Sequence, residues 1–228
     1  GHILPGEQAP ASPIEAEVYA ALVLGVRDYL GKNGFPGVII GLSGGIDSAL
    51  TLAIAVDALG ADKVRCVMMP SPWTAQMSLD DSREMIRRLG VEYDEIPIEH
   101  AMEQFAVSLA PTFARLGEKP SWDTTDENLQ ARIRGMILMA ISNRTGRIVK
   151  DVFKTFVYRL ARYRNKLSDV IPQNIITRAP SAELKPGQTD QDSLPPYEVL
   201  DAIIEAYMER DESPRQIIAA GLAEADVR

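Results

Sequence analysis

One short stretch constrains this chain most: Val38-Ile39-Ile40-Gly41-Leu42-Ser43-Gly44-Gly45-Ile46-Asp47-Ser48. The β-branched run Val38, Ile39 and Ile40 reads as a buried strand. It breaks into Ser43-Gly44-Gly45 and resumes with helical periodicity over 49–59. The junction brings a hydroxyl, two residues without Cβ and free backbone amides to a helix N-terminus. Orphan N–H groups and the positive end of the helix dipole point the same way there, so the corner suits an anion. Glycine lets a phosphate approach the backbone without steric penalty. Ser43 and Ser48 can add hydrogen bonds, and Asp47 stands where a bound Mg²⁺ would reconcile like charges. A plain βα turn capped by serine uses some of the same residues, but the full string favours a ligand. It is not the lysine-bearing phosphate loop, because no Gly-Lys-Ser/Thr follows.

The rest of the chain alternates in the same way. Residues 1–12 are Pro/Gly/Ala-rich and read as a flexible segment or linker, and 13–228 as one domain. A helix is expected over 14–30, with Ser12 as its cap and Val18, Ala21, Leu22 and Val26 on one face. Strands follow over 64–69 and 91–98, and helices over 79–89 and 99–116. Strands alternating with helices at this spacing predict an α/β fold, a doubly wound parallel sheet with helices on both faces. Such sheets bind ligands beyond the carboxyl ends of their strands. The Ser-Gly-Gly corner and the segment 70–78, with Trp73 as a candidate stacking aromatic, both fall on that edge.

Charge and cysteine content narrow the function classes. The net charge of −8 over 228 residues argues against a nucleic-acid partner, which wants a basic face. Arg159, Arg162, Arg164 and Lys166 cluster, and read as a solvated helix face. The single cysteine, Cys66, lies in an apolar run and reads as a buried thiol, which fits a reducing, cytoplasmic setting. No run of 18 apolar residues occurs, so no membrane span is implied.

A second motif opens at Asp123-Thr124-Thr125-Asp126-Glu127-Asn128-Leu129-Gln130-Ala131-Arg132-Ile133-Arg134. Thr124 with Glu127 reads as a capping box, for a helix running to Asn143. Leu129, Ile133, Met136 and Ala140 form one apolar stripe, while Leu138 and Ile141 point the other way, so both sides want cover. A second subunit or a large core would supply it. Arg132 and Arg134 project in separate directions. They read as surface ion pairs or as guanidinium groups set to recognise phosphate or carboxylate.

Taken together, Ser43 to Ser48 and Glu127 to Arg134 resemble the NAD synthetases, within the ATP pyrophosphatases of the adenine nucleotide alpha hydrolase-like fold. The resemblance runs from about Pro13 to the C-terminus, through Lys154-Thr155, Arg178-Ala179-Pro180-Ser181-Ala182-Glu183-Leu184 and Pro195-Pro196-Tyr197-Glu198. The last stretch is similar to the two-domain, glutamine-dependent enzymes, so a glutaminase domain is an expected partner. The resemblance implies a ligase that adenylates the nicotinate carboxylate of deamido-NAD with ATP and lets ammonia displace AMP to give NAD. It implies that Ser43, Gly44, Gly45, Ile46, Asp47 and Ser48 cradle the ATP phosphates and that Asp47 ligates Mg²⁺. It further implies that Lys154 and Ser181 contact ATP, that Arg132 binds deamido-NAD, and that two copies pair through the region 128–142. Catalysis would be positioning and charge stabilisation by Ser43, Asp47 and Lys154 rather than covalent chemistry. The alternatives are another ATP pyrophosphatase with a different acceptor and a nucleotide-binding module without catalysis.

The chain departs from the family at one place. After Arg147-Ile148-Val149 the resemblance implies a Thr-Gly-Asn-Lys-Ser-Glu type segment and a Gly-Asp-rich loop carrying a second Mg²⁺-ligating carboxylate. Here Val149 runs straight into Lys150-Asp151-Val152-Phe153-Lys154. A strand entering a helix without a loop is unusual, since βα connections commonly take about two to six residues. Either the segment is deleted, or a mobile lid is missing from the sequence as written; the second is favoured because lids close over bound ligands.

Overall fold

A computed structural model describes residues 12–117, 123–149, 157–178, 181, 183–185, 195, 197–204, 206–207 and 212–227. The elements run α1 Ile14–Asn33, β1 Val38–Gly41, α2 Ile46–Leu59, β2 Val64–Met68, α3 Gln76–Leu89, β3 Glu92–Glu95, α4 Glu99–Leu116 and α5 Thr124–Thr145. Then come β4 Ile148–Val149, α6 Val157–Leu167, α7 Gln173–Thr177, α8 Tyr197–Ile204, α9 Pro214–Ala219 and α10 Glu224–Val227.

The strands order β3-β2-β1-β4, and every pairing is parallel. Val38 lies opposite both Val64 and Ile148, so β1 is central. The chain leaves β1 for β2 on one side and arrives at β4 on the other, which opens a crevice at the carboxyl end of β1.

Successive strand residues face opposite sides, and both sides are apolar. Val38, Ile40, Val64, Cys66 and Met68 pack under α1, α2 and α6. Ile39 and Val67 pack with Ile98 and with Ile133 of α5. Helix α2 is buried through every position from Ala49 to Ala55, a run apolar but for Thr51, whose hydroxyl donates back to Asp47 O at 2.8 Å. The doubly wound architecture expected from the alternation is therefore present. Among the described residues no helix is long and apolar enough to cross a membrane.

Several local expectations need correction. Helix α1 runs three residues further than expected, to Asn33, where Gly34 turns left-handed and its N–H bonds Gly31 O. Its N-cap is Pro13, which makes no side-chain cap bond, so Ser12 does not cap it. Ala21 is exposed, while Tyr19 is buried and its hydroxyl donates to Asp57 Oδ2 at 2.7 Å. Helix α3 starts at Gln76 rather than residue 79. Strand β3 is only Glu92–Glu95, although Ile96 and Ile98 still donate to Met68 O and Pro70 O.

The α5 cap is Asp123 with Asp126 rather than Thr124 with Glu127: a carboxylate one residue earlier reaches the same orphan amides. The helix runs on to Thr145. Its core face carries Leu129 and Ile133 as expected, together with Ile137, Leu138 and Ile141, while Met136 and Ala140 turn outward. Helical spacing permitted either stripe, and contact with the sheet selects this one. Arg164 does not belong to a solvated face. Only 8 % of its side chain is exposed, and it holds Asp57 through Nε at 2.5 Å and Nη2 at 2.8 Å. Cys66 is fully buried as expected, and burial pushes its thiol up to about 12.

Candidate active site

The corner at the end of β1 is built from its own short hydrogen bonds. Leu42 N–H still donates to Val67 O at 3.0 Å, after which the chain leaves the sheet. Ser43 N–H donates to Ser48 Oγ at 3.2 Å, and the two hydroxyl oxygens lie 3.0 Å apart. Ser48 Oγ donates to Gly45 O at 3.0 Å, and Gly45 N–H donates to Ser43 Oγ at 3.2 Å. Gly45 is the N-cap of α2 and has no side chain to cap it; Ala49 N–H closes the first turn on Gly45 O at 3.1 Å. The amides ahead of it are those that helix geometry leaves for a ligand.

Gly44 is required twice over. Its φ is +80°, and a Cβ there would stand 2.7 Å from Ser78 O and 2.8 Å from Ser78 Cβ. Ile46, expected among the ligand-binding residues, buries its side chain in the core, so only its backbone is on offer. Asp47 and Ser48 occupy the first turn of α2, half-buried.

Beside the corner lies a cavity of about 260 Å³. It is lined by Gly41 at the end of β1 with Leu42 and Ser43 just beyond it, and by Met68 at the end of β2 with Met69 just beyond that. Thr74, Leu79 and Ser82 form one wall, Arg134 and Leu138 of α5 another, and Ser181 and Glu183 close it. Ser43 and Ser181, expected together, thus line one cavity. Lys154 lies outside the described residues, as does the junction after Val149. Trp73 is half-buried in the loop before α3 and is not among the residues lining this cavity.

The two arginines of α5 separate. Arg132 is exposed and turns back on its own helix, donating to Asn128 O and Oδ1 at 3.1 Å each. Arg134 enters the cavity wall and donates through Nε to Met69 O at 3.1 Å. Desolvation holds its guanidinium below the usual arginine range, with Glu183 pulling the other way. It remains a cation at any physiological pH.

A side-chain network behind the loop had no role assigned from sequence. Arg178 donates through Nη2 to Gly44 O at 2.9 Å and through Nη1 to Ser78 Oγ at 2.7 Å. Ser78 Oγ donates in turn to Glu183 Oε1 at 2.5 Å, and Glu183 Oε2 accepts from Ala75 N–H at 3.3 Å. Glu183 is the described non-glycine residue at positive φ, 49°, a conformation that wants a reason. The string Arg178 to Leu184 was visible as a motif, yet nothing local says that Arg178 reaches back to Gly44.

Comparison with known sequences decides the family. The sequence model described as NAD synthase matches residues 18–151 and 147–228. The chain belongs to the NAD synthase family.

Within that family, the chain is 49 % identical over 244 residues to a glutamine-dependent NAD(+) synthetase of Acinetobacter baylyi, covering 94 % of this chain and 44 % of that protein. It is 43 % identical over 236 residues to a glutamine-dependent NAD(+) synthetase of Thermotoga maritima, covering 91 % and 40 %. The chain therefore spans under half the length of these curated relatives. Among solved structures it is similar to the glutamine-dependent NAD+ synthetase of Acinetobacter baumannii in complex with ADP, at TM-score 0.71 and 44 % identity over 97 % of this chain and 44 % of that one. It is also similar to an NMN synthetase of Francisella tularensis, at TM-score 0.73 and 27 % identity over 86 % and 87 %.

The family match divides at 147–151, where Val149 meets Lys150. The Acinetobacter baylyi alignment, at 244 residues, is longer than the 228-residue chain, so that relative carries residues with no counterpart here. The division falls where the extra Thr-Gly-Asn-Lys-Ser-Glu type segment was expected.

Proposed function

We propose that this chain is the synthetase portion of an NAD-forming ligase. ATP adenylates the nicotinate carboxylate of deamido-NAD: the carboxylate oxygen attacks the α-phosphorus and pyrophosphate leaves. Ammonia then attacks the acyl carbon, AMP departs with the bonding pair, and the amide of NAD forms after loss of a proton. Adenylation exchanges an oxygen that cannot leave for AMP, which can. The protein's part is to hold charge and aim groups.

The observation that carries this reading is that Ser43, at the head of the Ser-Gly-Gly corner, lines one cavity with Arg134 and Ser181. The loop residues Ser43 to Ser48 would hold the outgoing pyrophosphate end of ATP, leaving the α-phosphorus toward the cavity. Ser181 and Lys154 would steady the nucleotide. Arg134, a half-buried cation at the wall, would offset phosphate charge that the acidic chain as a whole would repel.

Asp47 would ligate Mg²⁺. Among the described residues no three acidic, histidine or cysteine side chains gather as a metal cluster. One carboxylate nonetheless suits Mg²⁺ that takes its other ligands from phosphate and water. When bound, the ion would neutralise the polyphosphate beside Asp47.

Arg132, exposed next to Met136 and Met139, would meet deamido-NAD where a second copy covers α5. Homodimerisation through that face, a cytoplasmic setting and ammonia delivered from a glutaminase portion complete the reading. Glutamine dependence in the relatives' names supports the last of these.

The likeness to an NMN synthetase favours one second reading, in which nicotinate mononucleotide is the acceptor. Incubating the protein with ATP, Mg²⁺, ammonium and each acid separately tests both. Equal amounts of NAD, AMP and pyrophosphate from deamido-NAD are expected. Product from the mononucleotide instead selects the second reading. ATP binding without AMP from either acid leaves a nucleotide-binding module.

A further inference from the structure

We propose that Arg178 is a positioning residue that locks the Gly44–Gly45 peptide in its anion-binding orientation; the inference rests on the loop being the ATP polyphosphate site. A peptide between two glycines has no Cβ on either side to resist a flip of its plane. In a trans peptide the carbonyl and the N–H point in opposite directions. A flip would therefore turn the Gly44 oxygen toward the anion side and break the Gly45 N–H bond to Ser43 Oγ, the hydroxyl that lines the cavity.

The structure holds this peptide at both ends. Gly45 N–H donates to Ser43 Oγ at 3.2 Å, and Ser43 lines the cavity. On the far side the Gly44 carbonyl accepts from Arg178 Nη2 at 2.9 Å. A charge-assisted bond to that carbonyl makes the flipped state costly.

Arg178 is itself held against movement. Nη1 donates to Ser78 Oγ at 2.7 Å, and Nη2 also lies 3.4 Å from Asp81 Oδ2. Asp81 accepts from Asn174 Nδ2 at 3.3 Å. Glu183 adds a carboxylate 3.9 Å from Nη1 and accepts a hydrogen bond from the Ser78 hydroxyl. Both η nitrogens are thus occupied by protein, and two carboxylates balance the charge. That set of bonds fits a group that shapes the loop from behind rather than one that grips phosphate directly.

ATP titration by calorimetry on the wild type, Arg178→Ala and Arg178→Lys tests this, with hydrogen exchange on the ligand-free proteins. Arg178→Ala should weaken ATP about tenfold or more, the scale of one charge-assisted bond. Arg178→Lys should recover part of the loss, since an ammonium reaches one acceptor well but lacks the planar fork. Exchange should quicken over residues 43–48 and stay unchanged in the buried turns of α2. ATP affinity within about twofold of wild type in both variants overturns the proposal, as does quickened exchange throughout α2, which marks general loosening. If Arg178→Ala does not fold, Arg178→Lys decides alone by the same thresholds. A wild type that binds ATP yet forms no NAD from deamido-NAD refutes the functional reading and leaves this one to the titrations. A wild type that does not bind ATP refutes both.

Discussion

At Gly44 a backbone angle and a steric contact make the same demand. An alanine there would take a left-handed φ, costing about 1–2 kcal/mol, and would drive its Cβ against Ser78. Gly44→Ala should abolish ATP binding in calorimetry and lower stability by about 1–3 kcal/mol in urea unfolding. Unchanged binding would remove the loop from the active site. Asp47→Asn keeps shape and loses charge. It should leave the melting temperature near wild type while Mg²⁺-dependent AMP release falls by at least about a hundredfold. Activity within a few-fold would cancel the metal role. Cys66 yields a pH prediction. Its thiol is pushed up to about 12 by burial, whereas the unfolded thiol returns to about 8.5. Between those values the unfolded chain gives up a proton that the folded chain keeps, so folding stability drops as pH rises through that window. Cys66→Ala should flatten that part of the profile in denaturant titrations, though at a lower overall stability.

Between elements, the clamp of Tyr19, Asp57 and Arg164 ties α1, α2 and α6 together on the side of the sheet carrying the larger core. Arg164 also donates to Ser168 O and Oγ, so its fork is filled. Removing Arg164 alone strands a partly buried carboxylate. Arg164→Ala should cost about 2–3 kcal/mol in urea unfolding. The pair Arg164→Met with Asp57→Leu should recover much of that, because neither charge is then left unpaired. The clamp was not legible beforehand: Arg164 sits among Arg159, Arg162 and Lys166, and composition alone makes all four look alike. Helix α5 has the same difficulty in apolar form. Met136 and Ala140 follow Leu129 and Ile133 at as good a spacing as Ile137 and Ile141 do, and only the position of the sheet separates the two sets.

For the whole molecule, the outward face of α5 carries two large apolar side chains that no cluster of the described core covers. Met136 and Met139 are 54 % and 51 % exposed, beside the exposed Arg132. If two copies pair there as proposed, Met139→Lys should shift the protein to monomers in sedimentation equilibrium, and KM for deamido-NAD should rise more than KM for ATP. A monomeric wild type with an ordinary KM for deamido-NAD would separate Arg132 from the dinucleotide.

The parallel α/β architecture, the corner at Ser43 to Ser48 and the family could be read from the chain alone, because each is a series of short local patterns. A β-branched run, two glycines and a helix start need no distant partner to be read. Tertiary structure alone decided that Arg134 rather than Arg132 enters the cavity, that Arg164 is buried, and that Arg178 reaches Gly44 across 134 positions of chain. Those contacts join segments whose local patterns are satisfied either way, so only the packing of helices on both faces of the sheet selects between them.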